Sequence, residues 1–105
     1  AQEKAAEMGF VAPIVGHVGD GNFHVLLLID LADGQEIARA EAYVAWLNEV
    51  AIGMGGTCTG EHGIGQGKAA YLEKELGPAA MQMMAAIKAG VDPHNIFNPG
   101  KMRLP

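Results

Sequence analysis

Residues 10–30 read FVAPIVGHVGDGNFHVLLLID. Two runs rich in Val, Ile, Phe and Leu, FVAPIVGHV and FHVLLLID, flank the dipeptide Asp20-Gly21. Such runs favour β-strands, and Asp-Gly between them is one of the strongest signals for a two-residue hairpin turn. The stretch therefore predicts an antiparallel hairpin of two long strands. Pro13 is expected at an edge, or where its missing N–H is not needed.

The register of this hairpin decides whether two histidines meet. If Asp20 and Gly21 form the turn, His17 lies directly opposite His24 on the same face, with Cβ atoms about 4.5–5.5 Å apart. Both imidazoles could then bind one metal ion. Two half-buried histidines that bind nothing fit the same residues, and the pair alone favours that plainer interpretation. A third ligand would favour a metal site.

The best candidate for a third ligand is Glu61, in the glycine-rich stretch GEHGIG. Two His and one Glu with an open position are typical of catalytic zinc, whereas structural zinc sites are closed mostly by thiolates, and Cys58 is the single cysteine. The adjacent His62 is then available as a general base near neutral pH. Two alternatives stay open: GEHG as an exposed charged loop tip, and a nucleophilic pair of Cys58 with His62.

Helices are predicted for much of the remaining chain. Outside the hairpin, the predicted elements are a helix over 2–8, a helix over 35–54, a short strand within 57–67, helices over 68–77 and 78–89, and a loop or tail over 91–105. The residues expected on the buried helix faces are Ile37, Ala40, Val44, Leu47, Ala51, Ala80, Met83, Met84 and Ile87. We therefore predict one α+β domain over 1–105, in which an antiparallel hairpin-containing sheet packs with helices. Two strands are too few for a stable independent sheet, so further protein or a second copy is expected to complete it.

Composition narrows the classes of function. Seven Lys and Arg against 12 Asp and Glu give a net charge of -5, which argues against a nucleic-acid partner. No apolar run approaches the roughly 20 residues that span a bilayer, and residues 1–10 lack the profile of a signal peptide. A single cysteine allows no internal disulfide. These features predict a cytoplasmic protein without a transmembrane segment.

Three stretches, in their order and spacing, carry a family resemblance: GHVGDGNFH, GEHGIG and NIFNPGK. They closely resemble the C-terminal part of FAD-linked oxidases of the vanillyl-alcohol-oxidase type, in the branch of D-lactate dehydrogenases, glycolate oxidase subunits and D-2-hydroxyglutarate dehydrogenases. The resemblance covers nearly the whole chain. It implies the C-terminal part of a substrate (cap) domain of ferredoxin-like character. The FAD-binding domain would lie outside this chain, which contains no GxGxxG after a strand.

The resemblance also implies a metal and an acid/base. In metal-dependent relatives the positions that match His17, His24 and Glu61 hold zinc or a similar divalent ion. The position that matches His62 serves as the acid/base.

Further roles follow from position. Asn98 and Lys101 belong to the terminal motif, which in the family closes near the flavin and substrate; Asn98 is assigned to cofactor binding. Lys101, Asp20 and Asn22 are assigned to substrate binding or to support of the metal ligands, because the turn positions of the last two suit a backbone-fixing role.

The implied reaction is the oxidation of a D-2-hydroxy acid, such as lactate or glycolate, to the 2-oxo acid, with FAD and a divalent metal, preferably zinc. The isolated chain is expected to be inactive because the flavin carries the redox chemistry. Expected partners are the missing FAD-binding domain and a second copy in a homodimer; the intact enzyme could lie peripheral to a membrane. Two other readings are a metal-dependent hydrolase, with His62 or Glu61 as the base, and a non-catalytic module that binds a metal or an organic acid.

Overall fold

A computed structural model describes residues 1–104. The chain divides into two compact units, Ala1–Met54 and a second that begins at Gly55. The first unit contains the helices α1 (Gln2–Glu7) and α2 (Gly34–Gly53) and the strands β1 (Ile14–Val15) and β2 (His24–Val25); the second contains α3 (Ala69–Val91), and 3-10 turns cover Val18–Asp20 and Lys101–Arg103. The predicted α+β class is confirmed. The prediction of one domain over 1–105 stays a prediction.

The sheet of the first unit is an antiparallel hairpin, and its strands are much shorter than predicted. The paired residues are Ile14 with Val25, Val15 with His24 and, beyond the strands, Val11 with Leu28. Pro13 can donate no ladder hydrogen bond, and its carbonyl accepts one from the Leu26 N–H at 3.0 Å. The edge position expected for Pro13 is confirmed, because each strand of a two-stranded sheet is an edge strand.

The turn is not centred between Asp20 and Gly21, so the prediction that His17 faces His24 is wrong. A type I′ turn needs positive φ at both central residues, here Asp20 and Gly21. The chain instead makes a right-handed 3-10 turn at 18–20 and reserves the left-handed conformation for Gly21, whose φ is 74°. The His17 carbonyl accepts hydrogen bonds from the N–H groups of Asp20 and Asn22, at 2.9 and 3.2 Å. The register is therefore shifted by two residues, and the partner of His24 is Val15.

Tyr43 of α2 is the centre of the first unit's core, with none of its surface exposed. Its ring meets Phe10 edge-on, with centroids 6.2 Å apart, and lies 5.7 Å from the Trp46 ring. Its hydroxyl donates a hydrogen bond to the Ala1 carbonyl at 3.0 Å, which satisfies the one polar group of the side chain. Inward-facing hairpin residues pack against this cluster: Val25, Leu27 and Ile29. The amphipathic helix and one face of the hairpin therefore form the core together.

In the second unit, the two helices predicted on either side of Gly77 are confirmed. They join as α3 with a kink, because Gly77 has φ 79° and ψ 166° and Pro78 begins the second half. The strand predicted within 57–67 is wrong: this segment forms bends and turns. Its glycines favour turns over a strand. Glycine adds no side chain to a sheet, and it loses more conformational entropy on folding than any other residue.

Several apolar side chains predicted to be buried are exposed. Met83 and Ile87 of α3 are 66% and 59% exposed, and Val44 of α2 is 40% exposed. The predicted burial is wrong at these positions, because periodicity identifies an apolar helix face but not whether another segment covers it. None of the described helices is both long enough and apolar enough to cross a membrane.

Gly16 tests the geometry of the hairpin. Its φ is 146°, and an added Cβ would lie 2.7 Å from the Asn22 carbonyl oxygen and from the Phe23 Cα. We expect Gly16→Ala to lower the free energy of unfolding by about 1–3 kcal/mol, measured by urea unfolding. Gly19→Ala is the matched control, because an added Cβ there meets nothing within 4 Å. Equal stability of the two variants would contradict the loop geometry.

Candidate metal and catalytic site

The hairpin presents one of its two histidines from a strand and the other from a loop. His24 lies on β2 and is half-buried, while its neighbour Val25 packs into the core, so the two side chains point to opposite faces. His17 is exposed and immediately precedes the 3-10 turn. It lies two positions beyond Val15, the direct partner of His24. His17 is thus a loop residue outside the ladder, whereas His24 is paired within it.

Glu61 and His62 form a carboxylate–imidazole pair at the surface of the second unit. The Glu61 Oε1 lies 3.7 Å from the His62 Nε2, an ion-pair distance whenever the ring is protonated. Their side chains are 49% and 76% exposed, respectively. This exposure fits a site open to substrate, and it equally fits the charged loop tip left open by the sequence. The backbone turns directly after the pair at Gly63 and Gly65, both with positive φ.

Two charged side chains of the α3 region fix the start of this loop. The Cys58 N–H donates to the Glu75 Oε2 at 3.0 Å, and the Lys68 Nζ donates to the Cys58 carbonyl. Inside the loop, the Thr59 hydroxyl donates to the Gly63 carbonyl at 2.8 Å. The Glu61-His62 segment is therefore held at its base, although its tip is exposed.

Lys68 and Glu75 are site residues that were not predicted from the sequence. Their spacing of seven residues places both on one side of a helix, beside the buried Ala69 and Leu72. A pair of opposite charges at the border of a buried helix face was the available signal. It indicates side chains that bind polar groups of a neighbouring segment.

Cys58 is a packing residue, contrary to the alternative that paired it with His62 as a nucleophile. The side chain is 3% exposed. Burial raises the pKa of the Cys58 thiol, and the neighbouring Glu75 carboxylate raises it further. The thiol therefore stays protonated at neutral pH, where only the thiolate would be nucleophilic.

The terminal motif lies against the Glu61-His62 loop. The Met102 N–H donates to the Gly65 carbonyl at 2.7 Å, and the Lys101 N–H donates to the Asn98 carbonyl at 3.3 Å. Asn98 and Lys101 are both exposed. The structure thus connects two of the three motifs. The individual roles of Asn98 and Lys101 stay predictions.

The remaining predicted residues have less definite positions. Asp20 is exposed within the 3-10 turn, and Asn22 is half-buried with its N–H bound to His17. The roles of Asp20 and Asn22 stay predictions. His94 is exposed and lies in a turn.

Comparisons with known proteins agree with these motifs. A family model described as FAD linked oxidases, C-terminal domain, matches residues 1–102. The chain is 52% identical over 90 residues to a protein of Danio rerio named probable D-lactate dehydrogenase, mitochondrial, covering 86% of this chain and 18% of that protein. It is 47% identical over 89 residues to D-lactate dehydrogenase [cytochrome], mitochondrial, of Arabidopsis thaliana, covering 85% and 16%.

A third relative carries a different name. The chain is 49% identical over 87 residues to glycolate oxidase subunit GlcD of Bacillus subtilis, covering 83% of this chain and 18% of that protein. The chain therefore spans less than a fifth of the length of each of these relatives.

Glu75 tests how the loop is anchored. Although burial acts to raise it, the hydrogen bonds from the Cys58 N–H, Thr57 and the Cys58 thiol hold the pKa of Glu75 below its ordinary value of 4.5. A lowered pKa in the folded state adds stability above the unfolded value, and this stability is lost as the pH falls through the folded value. We expect Glu75→Gln to lower the free energy of unfolding by about 1–3 kcal/mol at pH 7, and by less as the pH falls below 4.5.

Urea unfolding at several pH values measures this effect. Glu73→Gln is the matched control, since Glu73 is an exposed carboxylate on the same helix. A loss that does not depend on pH, or one that Glu73→Gln reproduces, would contradict the anchoring role of Glu75.

Proposed function

Because this chain belongs to the FAD linked oxidase family, as its C-terminal domain, we propose that it is the metal- and substrate-binding part of a flavoenzyme. The reaction is the oxidation of a D-2-hydroxy acid to the 2-oxo acid. The observation that supports it most is the Glu61–His62 pair, 3.7 Å apart in a loop anchored at Cys58 and Gly65. The similar proteins are named for D-lactate and glycolate, which are both 2-hydroxy acids.

His17, His24 and Glu61 are the proposed ligands of one divalent ion. Two imidazoles and a carboxylate suit zinc with an open coordination position, and they also accept manganese, iron or cobalt. The fit rests on the chemistry of these donors and on their accessibility: His24 is half-buried on the hairpin face away from the core, and Glu61 is exposed. When bound, such an ion supplies a Lewis acid that lowers the pKa of the substrate hydroxyl.

His62 is the proposed base that takes the hydroxyl proton at Nε2. The Glu61 carboxylate, 3.7 Å away, forms an ion pair with the imidazolium that results. The bonds that hold Cys58 to α3 limit how far the loop can move during this transfer. When bound, FAD supplies the acceptor for the hydride from C2, and we assign most of its binding to the FAD-binding domain outside this chain.

A 2-hydroxy acid is an anion at neutral pH, and it must bind to a chain that is itself negatively charged. The net charge is -5, so a carboxylate substrate needs local positive charge. The ion and the exposed Lys101 ammonium provide it, with Lys101 assigned to the substrate and Asn98 to the cofactor. Asp20 and Asn22 support the loop from which His17 projects.

Exposed apolar residues on the hairpin support the expectation of further protein around this chain. Val11, Leu26 and Leu28 are 68%, 48% and 60% exposed on a two-stranded sheet, which is too small for independent stability. We propose that the rest of the enzyme covers this surface. A homodimer and the cytoplasmic location stay predictions.

Metal uptake tests the ligand set. We expect the intact polypeptide to bind about one zinc or manganese per chain after dialysis, measured by elemental analysis. His17→Ala, His24→Ala and Glu61→Ala should weaken binding by more than the roughly 10–100-fold that follows the loss of a residue supporting a ligand. His94→Ala is the control, because His94 is exposed in a turn and is not one of the proposed ligands. Equal uptake by all variants would refute the metal site.

Turnover tests the base. We expect FAD-dependent oxidation of D-lactate or glycolate by the intact enzyme, with kcat about 10²–10⁴ lower in His62→Gln and metal content retained. His94→Gln should leave kcat unchanged. Ester hydrolysis without FAD would favour the metal-dependent hydrolase instead, and binding without turnover would favour the non-catalytic module.

A further inference from the structure

Asp92 is a buried carboxylate at the end of α3, and the roles proposed above do not include it. Its side chain is 4% exposed. Its two oxygens accept hydrogen bonds from the N–H groups of Ile96 and Phe97, both at 2.9 Å. The Lys88 Nζ, one helical turn earlier, also donates to Asp92. A buried charge of this kind is unfavourable unless it is paired, and here it is paired on every side that the contacts describe.

These contacts fix a segment that has little regular structure of its own. Asn95 and Asn98 have φ values of 50° and 47°, a conformation that few L-residues adopt. The Lys88 Nζ donates also to the Asn95 Oδ1 at 3.1 Å, so one ammonium binds both Asp92 and Asn95. The Lys88–Asp92 pair therefore fixes the start of the terminal motif, which has no backbone ladder to do so.

The same segment ends in a bond to the loop of the proposed base. The Met102 N–H donates to the Gly65 carbonyl at 2.7 Å. Gly65 lies three residues after His62, at the far end of the loop from the Cys58 anchor. The loop thus has a second attachment, and the segment that provides it is fixed by Asp92.

We propose that Asp92 is a positioning residue for the Glu61-His62 loop: it fixes the terminal segment, which in turn fixes the loop through the bond between Met102 and Gly65. The roles of Glu61 and His62 in this proposal rest on the function proposed above. The coupling between the two segments does not.

Hydrogen–deuterium exchange in the intact polypeptide measures the coupling directly. We expect Asp92→Asn to speed exchange roughly tenfold at the amides of Ile96 and Phe97, which lose a charged acceptor. Exchange in residues 60–67 should also become faster, while exchange in α2 stays as in the wild type. Glu7→Gln is the matched control, since it removes the exposed Lys4–Glu7 ion pair, 3.1 Å long, from the first unit.

Steady-state kinetics on the same variant separates positioning from mere structural support. A displaced base should lower kcat for the D-2-hydroxy acid with little change in KM, at a temperature well below unfolding. Faster exchange at 95–103 with wild-type exchange at 60–67 would overturn the proposal, and so would an unchanged kcat. If Asp92→Asn does not fold, Lys88→Met gives the same two readouts with the same criteria. A wild type inactive on every 2-hydroxy acid would refute the proposed function, whereas the exchange result would still decide the coupling.

Discussion

The peptide groups on both sides of Cys58 are held by charged side chains, its N–H by Glu75 and its carbonyl by Lys68. The loop that follows is rich in glycine and lies outside the β-ladder, so its own backbone favours no single conformation, although the Thr59 hydroxyl bonds the Gly63 carbonyl within it. Partners from a helix replace the missing ladder. The exposed Glu61 and His62 can therefore keep a defined separation while their side chains remain accessible.

The hairpin solves a similar problem with backbone groups alone. The His17 carbonyl accepts two N–H groups of the loop, and Gly16 and Gly21 adopt conformations that side chains would oppose. The core under the hairpin depends on Tyr43, whose buried hydroxyl is satisfied by the Ala1 carbonyl. A rigid backbone beneath exposed or half-exposed histidines is what a ligand set requires, because each ligand that must be ordered on binding weakens the affinity.

The sequence predicted what depends on local pattern and failed where distant contacts decide. The period of apolar residues placed α2 and both halves of α3 correctly, and Gly77 and Pro78 marked the kink. The turn prediction failed because Asp-Gly fits more than one loop type: Asp20 ends a right-handed 3-10 turn, and Gly21 takes the positive φ. The histidine partners changed with it. Met83 and Ile87 were misplaced because periodicity identifies an apolar face but does not tell whether these residues have a neighbour to cover it. Lys68, Glu75 and Asp92 were missed because each binds a backbone group, so that no partner side chain in the sequence identifies the contact; only the opposite charges of Lys68 and Glu75 beside a buried helix face gave a signal.

The kinked helix α3 carries one set of anchors on each side of Gly77. Lys68 and Glu75 bind the beginning of the loop, and Lys88 and Asp92 bind the segment that meets its end. Each residue of an α-helix advances the side chains by about 100° around the axis. A single inserted or deleted residue between 78 and 88 would therefore rotate Lys88, Asp92 and the terminal segment together, turning that segment away from Gly65 while leaving Lys68 and Glu75 in place. The length of this helix is therefore as strictly constrained as the identity of its anchoring residues. Insertions and deletions are expected to be tolerated in other parts of the fold.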